Sequence, residues 1–229
     1  LFNAYSANSA GLYNGKAGLS LALFESFRYL DDKKIEDEAF HILQEALVIE
    51  NQDYSFENGF PGIGYVLLYL IGNKFVDADF DEIFSEKYEK IIKSYTNIDK
   101  DPAKLLSSLK VIYFLSEVRK IKADYHINEI IKKIFEGVEL YLSIQFLDFS
   151  NKYYINNKQF VMDKFNQYLR LVVFADYSDF SLILTDLYCE LYRKGRVGSR
   201  YSIGFLLEKI IKGRNNYEDV IQNNKLYGI

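Results

Sequence analysis

The sequence predicts an all-α fold assembled from consecutive helix pairs. Three observations predict it. Two segments 44 residues apart carry the same pattern: Leu12-Tyr13-Asn14-Gly15-Lys16-Ala17-Gly18-Leu19 and Phe56-Glu57-Asn58-Gly59-Phe60-Pro61-Gly62-Ile63. Each is followed by a hydrophobic run, and a repeat of this length marks stacked supersecondary units. Apolar residues then recur at helical spacing along most of the chain. Finally, only 2 prolines interrupt 229 residues, which leaves long stretches free to be helical.

The repeat orders the first half. After Asn14-Gly15 a helix is expected over 17–30 and a second over 34–50. The same unit predicts a third helix after Pro61, a residue well tolerated in a first helical turn, and a fourth over 79–95. The second helices also correspond, because Ala39, Phe40, Leu47 and Val48 align with Ile83, Phe84, Ile91 and Ile92. The repeating units are therefore helix pairs, covering 11–50 and 55–96.

Beyond the repeat, Leu105, Leu106, Leu109, Ile112 and Tyr113 have helical spacing behind Asp101-Pro102, a good helix start. Ile127, Ile130, Ile131, Ile134, Val138 and Tyr141 mark the clearest amphipathic helix. Together they read as a third pair that has lost its Asn-Gly loop. Residues 151–159 break the pattern, and Tyr153-Tyr154-Ile155-Asn156-Asn157 reads as a short hairpin or ordered loop. Helices are expected again over 160–174, 178–194 and 202–212. No composition shift marks a boundary, so the expectation is a single all-α domain over 1–229.

Composition excludes several functions. Hydrophobic residues at 49% and aromatics at 17% describe a chain that folds rather than a disordered one. A formal charge of −4 is wrong for a nucleic-acid surface, which needs clustered cations against phosphate. No apolar run approaches the ~20 residues of a membrane span. The lone Cys189 forms no internal disulfide, which favours a reducing, cytoplasmic setting. The chain opens at Leu1 without Met, so a missing presequence carries no weight.

The repeated loops supply the first candidate site. Asn-Gly readily takes positive φ, so a sharp turn is expected at each copy. Gly18 and Gly62 then fall in a first helical turn, where a missing side chain admits a neighbouring helix. Gly15 and Gly59 expose backbone N–H groups at a helix start, a geometry that suits an anion or a carboxylate. Tight convergence of inner helices explains the same glycines without any ligand, and is the favoured reading. No strand precedes either copy and the Gly-Lys-Ser/Thr ending is absent, so neither is a phosphate loop.

These loops resemble those of the lanthionine synthetase C-like (LanC-like) proteins, as a divergent or truncated member, most closely over 11–96. The resemblance implies an α/α-toroid, here an incomplete one, in which inner helices ring a cavity and outer helices wrap them. It also implies peptide modification, with zinc held by two cysteines and a histidine activating a peptide thiol for thioether closure. The one cysteine, Cys189, is followed by Glu190 rather than His, and His41 and His126 complete the soft ligands. The expectation is thus a peptide-binding member without metal, cofactor or zinc-dependent cyclase activity. Asn14, Gly15, Asn58 and Gly59, with Glu57 and Asp179, are its candidate cavity-mouth residues.

Two other readings follow from the residues. Paired carboxylates across a cleft serve glycoside hydrolysis, and Glu57, Asp176 and Asp179 are candidates. Against this, Asp179 or Ser178 is expected to cap the helix that follows, with Glu57 solvated. The third reading is a helical scaffold that only docks a partner protein. A partial ring leaves a terminal pair uncovered, to be closed by the C-terminal helices or by a second copy, with 160–192 as the covering surface.

Overall fold

A computed structural model of the chain describes residues 9–50, 53–98, 101–151 and 157–196. The expected hairpin at 153–157 falls almost wholly outside the described residues, and the helix expected over 202–212 entirely so. Every element described is helical: α1 (Lys16–Leu30), α2 (Lys33–Val48), α3 (Phe60–Gly72), α4 (Phe80–Thr96), α5 (Pro102–Ser107), α6 (Val111–Ile121), α7 (Tyr125–Asn151), α8 (Lys158–Phe174) and α9 (Leu182–Arg193). They form two compact units. The first comprises Leu1–Asp99 with Lys110–Ile131, the second Lys100–Leu109 with Lys132–Ile229.

In the first unit, local chemistry sets each boundary. Asp31 takes a left-handed conformation (φ 51°) that ends α1, and Asp32 caps α2 by accepting from the Lys34 N–H. Asp79 does the same for α4, accepting from the N–H groups of Asp81 and Glu82. α1 packs on α2 through small residues. Ala17, Ser20, Ala39 and Ala46 are all buried, and the Ser20 hydroxyl donates to the Ala39 carbonyl at 2.8 Å.

α1 and α3 lie side by side and run parallel. At their starts the Tyr13 N–H donates to the Glu57 carbonyl at 2.8 Å. Near their ends the Tyr69 hydroxyl donates to Glu25 at 2.6 Å, again a pair 44 residues apart, and Arg28 reaches Asn73. α6 joins the same layer. It starts beside Glu57 through Lys110 and ends with Lys122 at Asp81, where α4 begins. The expected single helix behind Asp101-Pro102 is in fact two, because the chain turns at 108–110 between α5 and α6.

The second unit is built on rings. Phe165 of α8 lies between Phe146 of α7 (5.1 Å) and Tyr188 of α9 (4.8 Å), and all three are buried. Gly137 of α7 gives room to Leu105 of α5, whose side chain would collide with any Cβ there. The outward face of α7 changes character along its length. Lys132 and Glu136 lie on it first, then Leu140, Ile144 and Leu147, each about half exposed. Helix α9 starts later than expected, and Ser181 caps it rather than Ser178 or Asp179. The Ser181 hydroxyl accepts from the Leu184 N–H.

Candidate functional site

The repeated loops fold back on the helices they precede. The N–H groups of Lys16, Ala17 and Gly18 donate to the carbonyls of Ser9, Ala10 and Gly11 at 2.9, 3.1 and 3.4 Å. In the second copy the Gly59 and Phe60 N–H groups donate to Ser55 and Asp53, both at 3.0 Å. A helix start normally leaves such donors open, and here the loop carbonyls take them. An anion at either helix start would have to compete with these carbonyls, so the less favoured anion reading gains nothing here.

This wrapping explains the glycines. A Cβ on Gly18 would collide with the Leu12 carbonyl, and one on Gly62 with the Phe56 carbonyl, the same clash 44 residues on. The sequence expected a neighbouring helix at these positions, whereas each helix's own loop is the main obstacle. The neighbour appears elsewhere: Gly11 sits against the Asn58 backbone, and Gly64 admits the rings of Phe84 and Phe114. Positive φ falls on Asn14 (55°), while Gly15 (φ −121°) and Gly59 (φ −106°) are extended. In the first copy the turn thus uses the asparagine, which tolerates the left-handed region better than most side chains.

The fold therefore brings five of the six expected residues to one end of the first unit. Asn14 and Asn58 are exposed, Gly15 and Gly59 are buried, and Glu57 is half-buried. Asp179 belongs to the second unit, exposed, 3.8 Å from Lys132. Three side chains that the motif does not contain complete the first cluster. Lys110 pairs with Glu57 at 2.6 Å and lies 4.8 Å over the Tyr13 ring. Phe56, next to Glu57, contacts Tyr65 of α3 and Tyr113 of α6 at 5.4 and 5.6 Å.

Burial works against the Lys110 charge, but the Glu57 hydrogen bond and carboxylate outweigh it and raise the ammonium above its ordinary range. Lys110 thus stays a cation beside a half-exposed phenol. From there the surface continues along α3 through Tyr65 and Tyr69, four residues apart and both half-buried. Burial first, then the nearby Glu117 and Tyr113, pushes the Tyr65 phenol up, so it remains a neutral donor. The result is a strip of phenols and carboxylates with Lys110 at one end and Arg28, 3.4 Å from Glu25, at the other, able to hydrogen-bond main-chain groups and to stack against side chains.

The zinc that the resemblance implies does not fit. Among the described residues no group of three His, Cys, Asp or Glu side chains is placed to hold a metal. Cys189 is half-buried and burial pushes its thiol up, which disfavours the thiolate that zinc needs. His41 pairs with Glu45 and His126 with Asp124, both on exposed helix surface. Among the described residues, no helix is long and apolar enough to cross a membrane.

Comparison of the chain with protein-family models, with curated proteins and with solved structures finds no match. What the chain is therefore rests on its own architecture: an all-helical protein whose first unit holds the pairs α1–α2 and α3–α4, with α1 and α3 parallel from adjacent loops.

Proposed function

We propose that this chain is a LanC-like helical-repeat protein that binds an extended peptide during ribosomal peptide modification, without zinc-dependent thioether cyclisation. One observation carries the reading. The two Asn-Gly loops are stacked in 44-residue register and hold Tyr13, Glu57 and Lys110 together at one end of the inner helices. On this reading α1, α3 and α6 are inner helices of an incomplete α/α-toroid, and α2 and α4 are outer ones. An extended peptide brings unpaired N–H and C=O groups, which Asn14, Asn58 and the phenols of Tyr65 and Tyr69 are suited to meet. Without a metal set, the peptide's thiols are bound rather than activated.

Glu57 lends little support to the carboxylate-pair reading, because Lys110 already holds it. The test is titration of the protein with a synthetic unstructured peptide rich in Ser, Thr and Cys, followed by fluorescence anisotropy. Saturable binding is expected, weakened about fivefold or more by Lys110→Ala or Tyr13→Ala, a loss of roughly 1 kcal/mol. Absence of binding, or binding by both variants as tight as by wild type, would remove the proposal. Stoichiometric zinc in the untagged protein would overturn its metal-free part.

A further inference from the structure

Glu139 is an acidic side chain on the buried face of α7, only 8% exposed. One of its carboxyl oxygens accepts two hydrogen bonds. The Tyr168 hydroxyl of α8 donates at 2.6 Å, and the Ser181 N–H donates at 3.0 Å. Because Ser181 is the cap of α9, this single oxygen ties together α7, α8 and the first turn of α9. Rings close the site: Tyr177 stacks on Phe135 at 4.4 Å, and Phe135 meets Tyr168 edge-on at 5.7 Å. The Tyr177 hydroxyl is buried there and has no hydrogen-bond partner.

We propose that Glu139 is a proton-binding site that holds the α8–α9 connection on α7 when neutral and releases it when ionised. The groups around it give the sign. Burial pushes its carboxyl up, the bonds from Tyr168 and Ser181 oppose this less strongly, and the nearby Glu136 of α7 and Asp179 of the connection add repulsion. Lys132 lies 3.9 Å from Glu136 and 3.8 Å from Asp179, on the outer side of these two acids. From α8 the facing group is the Tyr168 phenol, and from the connection the Tyr177 phenol; burial raises both well out of the neutral range, so both stay uncharged.

A carboxyl whose folded value exceeds its unfolded one contributes stability that is complete at low pH. That contribution is lost as pH rises through the folded value. Ionisation would put a buried charge beside two acids, met by the Tyr168 hydroxyl and the Ser181 N–H on one oxygen. The least costly response is to move 177–181 and admit water.

Amide hydrogen exchange at Ser181 and Leu184, corrected for intrinsic rates, tests this between about pH 5 and about pH 8. Wild type is expected to open more as pH rises, by up to tenfold per pH unit above the folded value. Glu139→Gln keeps the acceptor but cannot ionise, so its opening should be independent of pH. Tyr168→Phe removes a bond that favours the charged form, so its opening midpoint should move to higher pH. Infrared spectra of wild type should also show a neutral carboxyl band persisting above the ordinary carboxylate range, shifted in Tyr168→Phe. That readout stands even if Glu139→Gln fails to fold. PH-independent opening in wild type, the same pH profile in wild type and Glu139→Gln, or no neutral carboxyl band would each overturn the proposal.

Discussion

The two units solve the same packing problem with different materials. In the first, backbone meets backbone: Gly11 lies against Asn58, Gly18 under the Leu12 carbonyl and Gly62 under that of Phe56. Rings pack there too, such as Phe24 on Phe40 at 5.0 Å, but glycine lets the chain approach itself first. In the second, rings meet rings around Phe165, and one buried carboxyl group joins three elements. A repeated backbone contact needs the same small residue at each recurrence, and so leaves a periodic trace in sequence. A ring cluster only needs large apolar residues whose volumes fit, and leaves none.

The largest effect should come from breaking the second unit's centre. Phe165→Ala removes a fully buried ring with three aromatic neighbours and is expected to cost about 3–5 kcal/mol, read by urea denaturation. Phe165→Leu should recover much of this, because a ring cluster tolerates apolar volume. Gly18→Ala in the first unit is expected to cost about 3 kcal/mol for one added methyl, since the obstacle is a backbone carbonyl that cannot rotate away. Gly18→Ser should do no better. If Gly18→Ala proved neutral, the contrast between backbone packing and ring packing would fail.

That contrast also explains what could be read in advance. The 44-residue spacing exposed the pairing of α1 with α2 and of α3 with α4, and the starts expected at 34, after Pro61 and at 79 fall within a residue or two of those observed. The turn at 108–110 was not legible, because Leu105, Leu109 and Ile112 keep helical spacing across it and all are buried. Lys110 was not legible for the same reason: nothing in the local sequence sets it apart inside an expected helix. Asn14, Glu57 and Asn58 were legible through the motif, although their backbone neighbours proved to be occupied by the loops themselves. Glu139 did leave a signal. It sits among Phe135, Val138, Leu142 and Phe146, an acid on an otherwise apolar helical face, and such a residue is rarely buried without partners. Ser181 was not foreseen as the cap, because it stands close behind Ser178 and Asp179, and local sequence alone does not rank neighbouring residues of capping type.

A smaller effect separates the two faces of α7. Ile144→Glu replaces a half-exposed side chain and is expected to change stability by less than about 0.5 kcal/mol. Phe146→Ala, two residues on and fully buried, should cost as much as Phe165→Ala. A large loss for Ile144→Glu would show that the outward apolar stripe is covered. Similarly, Lys110→Met should cost no more than about 1 kcal/mol, because the Glu57 pair is partly solvated. Its larger consequence should be in peptide binding.

The smallest effect should be a gain. Gly72 closes α3 at an exposed position, and a Cβ there would meet nothing within 4 Å. Its backbone is helical, so alanine lowers the entropy of the unfolded chain and suits the helix better. Gly72→Ala is therefore expected to stabilise the protein by about 0.5–1 kcal/mol, seen as a rise in urea midpoint with an unchanged slope. Gly62→Ala, ten residues earlier in the same helix, adds the same methyl under the Phe56 carbonyl and beside Leu12. Opposite signs for the two substitutions would show that loop contact, rather than the glycine content of α3, fixes where this repeat needs glycine. Equal signs would mean that the loops yield to a methyl, and that the 44-residue pattern is held by something other than backbone contact.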